Sequence, residues 1–395
     1  MKFAGLDLAA KPTNSSGLAV LDDSNKKLKL TKLTNAFTDE KIIDAVKDAD
    51  YLAIDAPLLK GASPNGLRLA DRHLISLGLR VMPPSFLYDL LKRADKIVGH
   101  LPKKTKVIEV HPRSSALMLG LNPKRPAFNQ PALRNIIDTN NKACANQHQF
   151  DGLMSAYTAY LHHKKLARLA GENGAYIALP VSHRIKLAVF DMDGTLTRPT
   201  SSWEHIHKEL GTWESAGLVY LNKFIAGKIT YEEFAKMDTS EWKGIPFERI
   251  QTISSKVKYM PGIHELMSFL SDKKIKTALI SGGLSVIADK VAADFGIKRT
   301  FVNSLGVKDG MLTGEVGINV SYNGKLPIYK KLLRDLKLKP YQVMTVGDTK
   351  GDLPLFQNSG LAVAINPMHE EIIEVADFKV KSLAEIVGIL SNGQA

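Results

Sequence analysis

"AVFDMDGTLT", residues 188–197, opens on a short apolar run and ends on two aspartates one residue apart, then Gly-Thr. An apolar run bounded by a turn reads as a buried strand. The two carboxylates then stand at its carboxyl end, where open parallel sheets collect ligands. From this point strands and helices alternate to the end of the sequence, the pattern of a parallel sheet with crossover helices. The expected class is therefore α/β. Because so much chain precedes the run, two domains are expected, joined near "PVSHRI" (180–185).

Working outward, "KTALISGG" (276–283) brings Ser281 and two glycines to a second strand end, and "QVMTVGDTKGD" (342–352) brings Asp348 and Asp352 to a third, with Lys325 between them. A phosphate monoester resists hydrolysis because its charge repels nucleophiles and its alkoxide leaves poorly. An aspartate near Mg²⁺ can attack in line and split one hard step into two. A second carboxyl two residues on can protonate the leaving oxygen and later activate water. Here Asp191 and Asp193 suit those catalytic roles. Thr195, Ser281, Gly282 and Lys325 suit the phosphoryl oxygens, and Asp191, Asp193, Asp348 and Asp352 suit the metal.

This order and spacing resemble the haloacid dehalogenase superfamily over residues 186–395. "MPGIHELMSFL" (260–270), "ISGGLSVIADKVA" (280–292) and "NSLGVKDGMLTGEV" (303–316) are similar to its phosphoserine-phosphatase-like branch. The resemblance implies a Rossmann-like domain with a helical cap, about 200–258, inserted after the first motif. It also implies Asp191 as nucleophile, Asp193 as general acid and base with its backbone carbonyl on the metal, Asp348 on the metal and Asp352 in support. In that branch a glutamate nine residues after the nucleophile helps hold the substrate amine, and an arginine grips its carboxylate. Those positions here are Thr200 and Asp238. An aspartate repels a carboxylate, so the expected substrate is a small phosphorylated metabolite other than phosphoserine. Thr200, Ser202, Trp203 and Asp238, with Trp242, form either a different specificity surface or, for the tryptophans, the core of the cap.

The front half reads as three strands from "KFAGLDLA" (2–9), "SGLAVLDD" (16–23) and "KLKLTKLT" (27–34), a helix capped by Thr38, and a strand "YLAIDAP" (51–57). An irregular Pro- and Gly-rich stretch (57–103), a strand "KVIEVHP" (106–112), a helix over 149–170 ended by "GENG", and a closing strand "AYIALP" follow. That order is the order of the RNase H-like fold. Asp7, Asp55, Glu109 and Asp151 fall where such a fold gathers Mg²⁺ or Mn²⁺, and convergent carboxylates are costly without a cation. "GLDLAAKPTNSSGLAVL", "AIDAPLL", "GLRLADRHLISLGLRVMPPSF" and "VIEVHPRSSALMLGL" resemble a poorly characterised family of predicted RNase H-fold nucleases, over residues 1–182. Three roles stay open: a metal-dependent nuclease with Arg68, Arg72, His111 and Arg113 on phosphates, a binding or regulatory domain, and a nucleotide-binding domain.

Charge supports a polyanion partner such as nucleic acid as much as it supports a merely solvated surface. Of the net +13, residues 1–183 carry +10, from 26 lysines and arginines against 16 acids. One cysteine, Cys144, excludes an intramolecular disulfide. Asp7 interrupts any signal-peptide core, and no apolar run approaches the ~18 residues of a membrane span. A cytoplasmic enzyme without membrane contact is expected, of open oligomeric state. The alternative is a nucleic-acid-processing protein whose phosphatase half trims phosphorylated ends.

Overall fold

The computed structural model describes residues 1–24, 27–58, 66–172 and 174–392; parts of the irregular stretch and Asn173 of "GENG" lie outside them. The chain forms two compact units, Met1–Arg184 and Ile185–Ser391. Among the described residues no helix is long and apolar enough to cross a membrane.

In the first unit the strands are β1 (Lys2–Asp7), β2 (Ser16–Asp22), β3 (Lys29–Ala36), β4 (Tyr51–Ile54), β5 (Lys106–Val110), β6 (Ala167–Glu172) and β7 (Ala175–Pro180). They form one sheet in the order β3-β2-β1-β4-β5-β7-β6. β1 pairs antiparallel with β2 and parallel with β4, and β2 pairs antiparallel with β3. The helices are α1 (Asp39–Val46), α2 (Leu69–Ser76), α3 (Tyr88–Gly99), α4 (Pro112–Met118), α5 (Gln130–Ile136) and α6 (Gln147–His163). The Thr38 hydroxyl caps α1 by accepting from the Lys41 N–H at 3.4 Å.

Strand alternation divides the core. Phe3, Ala19 and Leu21 pack with Phe150, Leu153 and Met154 of α6, while Ala4, Leu6, Leu18 and Val20 pack with Ile42 of α1 and Ala94 and Ile97 of α3. Two expectations need correction. The helix expected over 149–170 stops at His163, because Lys165 turns left-handed at φ 59° and residues 167–172 pair with β7 as a strand. The stretch expected to be irregular over 57–103 contains α2 and α3.

Helix α6 lies directly on β1 and β2 because glycines meet it. A Cβ on Gly5 would fall 2.0 Å from the backbone nitrogen of Ala156 and 2.2 Å from the carbonyl oxygen of Gly152. Neither atom is the movable end of a side chain. Gly5→Ala is therefore expected to cost about 3 kcal/mol, the upper end of ordinary overpacking, read as a lowered denaturant midpoint.

The second unit has β8 (Leu187–Phe190), β9 (Lys276–Leu284), β10 (Thr300–Lys308), β11 (Met311–Gly317), β12 (Val343–Gly347), β13 (Leu361–Ile365) and β14 (Phe378–Val380), ordered β11-β10-β9-β8-β12-β13-β14. All neighbours are parallel except β10 and β11. Four helices, α7 (Ser202–Leu210), α8 (Leu218–Ile225), α9 (Tyr231–Glu241) and α10 (Phe247–Ser255), fill the insert between the first two strands. The rest are α11 (Ile263–Asp272), α12 (Ser285–Phe295), α13 (Lys325–Asp335), α14 (Leu353–Phe356), α15 (Glu370–Val375) and α16 (Ala384–Asn392). The chain runs from β8 outward through β9 to one edge, then restarts at β12 on the other side. The reversal point between β8 and β12 is where a doubly wound sheet opens a ligand crevice.

Candidate active site

Strand β8 is wholly buried, and its pairing with β12 ends at Phe190 opposite Val346. Asp191 and Asp348 thus leave neighbouring strand ends together, and the Asp191 N–H donates to the Val346 carbonyl at 3.0 Å. The next turn wraps one carbonyl: the N–H groups of Thr195, Leu196 and Thr197 donate to Met192 O at 2.9–3.1 Å. Gly194 sits at φ 73°, and a Cβ there would lie 2.2 Å from Asp348 Oδ2. Only glycine suits both the conformation and the space. Thr195, expected on phosphate, has no exposed surface and instead donates its hydroxyl to Asp348 Oδ1 at 2.8 Å. It orients an acid.

The ammonium of Lys325, at the start of α13, lies 3.0 Å from Asp191 Oδ1 and 2.7 Å from Asp352 Oδ1. Burial alone would lower its pKa, but Asp191 and Asp352 outweigh that and hold it raised and charged. Asp352 Oδ2 accepts from the N–H groups of Asp348 and Thr349 at 3.1 and 3.2 Å. One oxygen each of Asp191, Asp348 and Asp352 falls within 4.8 Å of the others. Burial, then Asp191 and Asp352, push Asp348 up to about 8, and burial raises Asp352 against the pull of Lys325. Three buried carboxylates facing one ammonium, with all-oxygen donors, fit a hard divalent cation such as Mg²⁺.

Asp193 points elsewhere, so its side chain is not in that group. Its Oδ2 accepts from the N–H and the hydroxyl of Ser202, each at 2.8 Å, while its buried Oδ1 has no hydrogen-bond partner among the described residues. Burial pushes its carboxyl up to about 7, Ser202 opposing and Asp191 adding. Ser281 accepts from the Gly283 N–H at 3.2 Å. The Gly282 carbonyl is held by Trp203 Nε1 at 3.1 Å, the Tyr231 hydroxyl at 3.0 Å and Asn303 Nδ2 at 3.0 Å.

A family model for haloacid dehalogenase-like hydrolases matches residues 188–357. The phosphoserine phosphatase of Campylobacter jejuni subsp. doylei is 32% identical over 213 residues, which are 52% of this chain and 100% of that protein. The chain belongs to the haloacid dehalogenase-like hydrolases. The phosphoserine phosphatase of Archaeoglobus fulgidus is 30% identical over 207 residues, covering 52% of this chain and 59% of that relative's own length. A solved phospho-aspartyl intermediate analogue of phosphoserine phosphatase aligns with a TM-score of 0.47 at 27% identity, over 52% of this chain and 99% of that one. By its family model and its sequence relatives the hydrolase is a phosphatase of that superfamily, phosphoserine-phosphatase-like in its second unit.

The expected specificity surface of the hydrolase is mostly cap interior. Trp203 and Trp242 stack at 5.9 Å, and Trp242 and Asp238 have at most 1% exposure. Asp238 Oδ1 lies 3.1 Å from His207 Nε2, itself packed 4.8 Å from the Trp242 ring. Ser202 is sealed against Asp193. Thr200 alone is exposed, at an open cleft of about 460 Å³ with Gly194, Arg198, Asp348 and Lys381. Sequence reading missed Tyr231 and Asn303. Asn303 is fully buried and also accepts from the N–H groups of Asn319 and Val320, both at 2.9 Å.

In the first unit the four expected metal acids do not act alike. Asp7 Oδ2 meets His148 Nδ1 at 2.6 Å, and Asp151 accepts from Gln147 at 2.8 Å. Burial pushes Asp151 up to about 7, and burial with Asp7, Asp151 and Glu109 nearby raises Asp55 strongly. Glu109 is taken: Arg68 donates to its two oxygens at 2.6 and 2.7 Å and to Asp71 at 2.9 and 3.0 Å. This corrects both the expected Glu109 ligand and the expected Arg68 phosphate contact. Among the described residues no three of the four acids bring oxygens within 4.8 Å of one another. Asp7, Asp55, Arg80, His111 and Arg113 line a cleft of about 510 Å³. Burial, then Arg113, push His111 down to about 4, and its Nδ1 lies 2.7 Å from the Ser114 hydroxyl.

Proposed function

We propose that the second unit hydrolyses a small phosphomonoester through an aspartyl-phosphate on Asp191. The observation that carries this is the division between two carboxyls one residue apart. Asp191 Oδ1 lies 3.0 Å from the Lys325 ammonium, among the groups suited to hold the phosphoryl group and the metal, whereas Asp193 turns away from them and is pushed up to about 7 with Oδ1 free, which suits a proton donor. In the first step an Asp191 oxygen bonds to phosphorus, the ester P–O bond breaks, and Asp193 protonates the departing oxygen. In the second, water bonds to phosphorus, its proton passes to Asp193, and the bond to Asp191 breaks. Lys325, Ser281 and the Gly282 N–H hold phosphoryl oxygens. Asp191, Asp348, the Asp193 carbonyl and, behind them, Asp352 would hold Mg²⁺, which supplies charge neutralisation for the attack.

The relatives are phosphoserine phosphatases, but the residues at two of their substrate positions differ here. Asp238 is buried against His207 inside the cap, and Thr200 offers no acid to an amine. We therefore assign a substrate other than phosphoserine. Phosphate release from a panel of phosphorylated metabolites with Mg²⁺ is expected to fall at least ~10³-fold in Asp191→Asn, with phosphoserine not the best substrate. Turnover surviving in the variant contradicts the nucleophile, and phosphoserine leading by a wide margin contradicts the specificity.

For the first unit we propose an RNase H-like domain. The strand order β3-β2-β1-β4-β5, with β2 antiparallel to its neighbours, supports it. Asp7, Asp55 and Asp151 remain its candidate ligands for Mg²⁺ or Mn²⁺, and nucleic acid its candidate partner. Cleavage of single- or double-stranded DNA or RNA that needs Mn²⁺ and disappears in Asp7→Asn would support a nuclease. Binding without cleavage would leave a recognition domain.

A further inference from the structure

Ser202 is the first residue of α7 and has no exposed surface, so it cannot touch solvent or select a substrate. Its contacts run inward. Both of its donors, N–H and O–H, converge on Asp193 Oδ2 at 2.8 Å, and its Oγ accepts from the Leu284 N–H at 3.1 Å. The loop leaves no slack around this contact: a Cβ on Gly283 would fall 2.7 Å from Asp193 Oδ2 and 2.8 Å from Ser202 Oγ. The next residue, Trp203, ties the same helical turn to the Gly282 carbonyl. One carboxyl oxygen is thus doubly bound, and the other, Oδ1, is buried and free of hydrogen bonds among the described residues.

We propose that Ser202 is a positioning residue for proton transfer, holding Oδ2 of Asp193 so that Oδ1 is the oxygen presented to the leaving group. The assignment rests on Asp193 being the general acid. With Oδ2 held, the plane of the carboxyl is fixed, and the proton on Oδ1 moves to the ester oxygen as the P–O bond breaks and the Asp191–phosphorus bond forms. Without the hydroxyl only the backbone N–H remains, and the carboxyl can turn about its Cβ–Cγ bond. The penalty then depends on how much the departing oxygen needs a proton. An alkoxide needs one, and 4-nitrophenolate leaves without it.

The test compares kcat/KM for glycerol 2-phosphate and 4-nitrophenyl phosphate, using the full chain with Mg²⁺, because this ratio reports the steps through the first P–O cleavage. General acid catalysis contributes about 10²–10⁴-fold. Ser202→Ala is expected to lose about 10-fold or more on the glycerol ester and less than about 3-fold on the nitrophenyl ester. Ser202→Thr, which keeps the hydroxyl, is expected to recover most of the loss. An equal loss on both esters in Ser202→Ala overturns the inference, since a packing or binding defect acts on both alike. Ser202→Gly, which also keeps the N–H and removes Oγ, gives the same comparison should the alanine variant fold poorly. Asp193→Asn separates the two readings. Loss confined to the glycerol ester there, with none in Ser202→Ala, removes only the positioning role, whereas loss on neither ester removes Asp193 as the acid.

Discussion

Lys325→Met is expected to destabilise the second unit by about 3–5 kcal/mol in chelator, the usual result of removing one partner from a buried ion pair. Methionine is unbranched and only one heavy atom shorter, so it keeps most of the packing and the loss chiefly reports the charge. The ammonium is only 8% exposed and stands between Asp191 and Asp352, and without it three carboxylates share a space in which their oxygens lie within 4.8 Å. Their remaining remedies are protons and a cation. Millimolar Mg²⁺ should therefore stabilise the variant more than it stabilises the parent, and denaturant midpoints with and without the metal measure both effects. A loss under about 1 kcal/mol would mean that solvent already screens the acids. Phosphate release should fall about 10²–10³-fold, the range for removing one donor from a site of developing anionic charge.

The parts of this site that sequence exposes are those whose chemistry requires a residue type. Asp191, Asp193, Ser281, Lys325 and Asp348 are legible because each follows a short apolar run or opens a helix. What stays hidden is how they are held. Ser202, Tyr231 and Asn303 act through hydrogen bonds to carboxyl or carbonyl oxygens, and no local pattern separates such residues from surface polar ones. The misassigned cap residues did carry a signal. Tyr231, Phe234, Asp238 and Trp242 recur at helical spacing along α9 and its end, so Asp238 sits within an apolar stripe, and an acid inside such a stripe implies a buried partner. That partner, His207, lies on another helix and cannot be found by spacing.

In the first unit the succession of strands β1 to β5 is readable, and the elements and boundaries between and after them are not. β1, β2 and β3 follow from short apolar or alternating runs. Helices α2 and α3 are hidden by the breakers around them, Gly66, Gly78, Pro83, Pro84 and Pro102, although "YDLLKRADKIVG" has clear helical spacing. The strand β6 reads as the end of a helix because "LARLA" suits either state, and only the left-handed Lys165 and the pairing with β7 decide it.

Arg68→Met is expected to cost the first unit about 3–5 kcal/mol near neutral pH. The guanidinium, 6% exposed, makes two hydrogen bonds to Glu109 and two to Asp71, and those acids are 5% and 2% exposed. Removing it strands two like charges together. Glu109 already has a raised pKa from burial even with Arg68 beside it, so without the arginine it must rise further. A carboxyl with a raised folded pKa costs stability above that value and nothing below its unfolded value, which is 4.5 for Glu109. The gap between parent and variant should therefore be full at pH 8 and close progressively towards pH 4.5. Adding Glu109→Gln removes one stranded charge, so the double variant should be more stable than Arg68→Met alone, although each single change destabilises the parent. Hydrogen exchange in peptides spanning α2 and β5 locates the effect. A gap that does not change with pH would show that the arginine acts through packing rather than through its charge on Glu109 and Asp71.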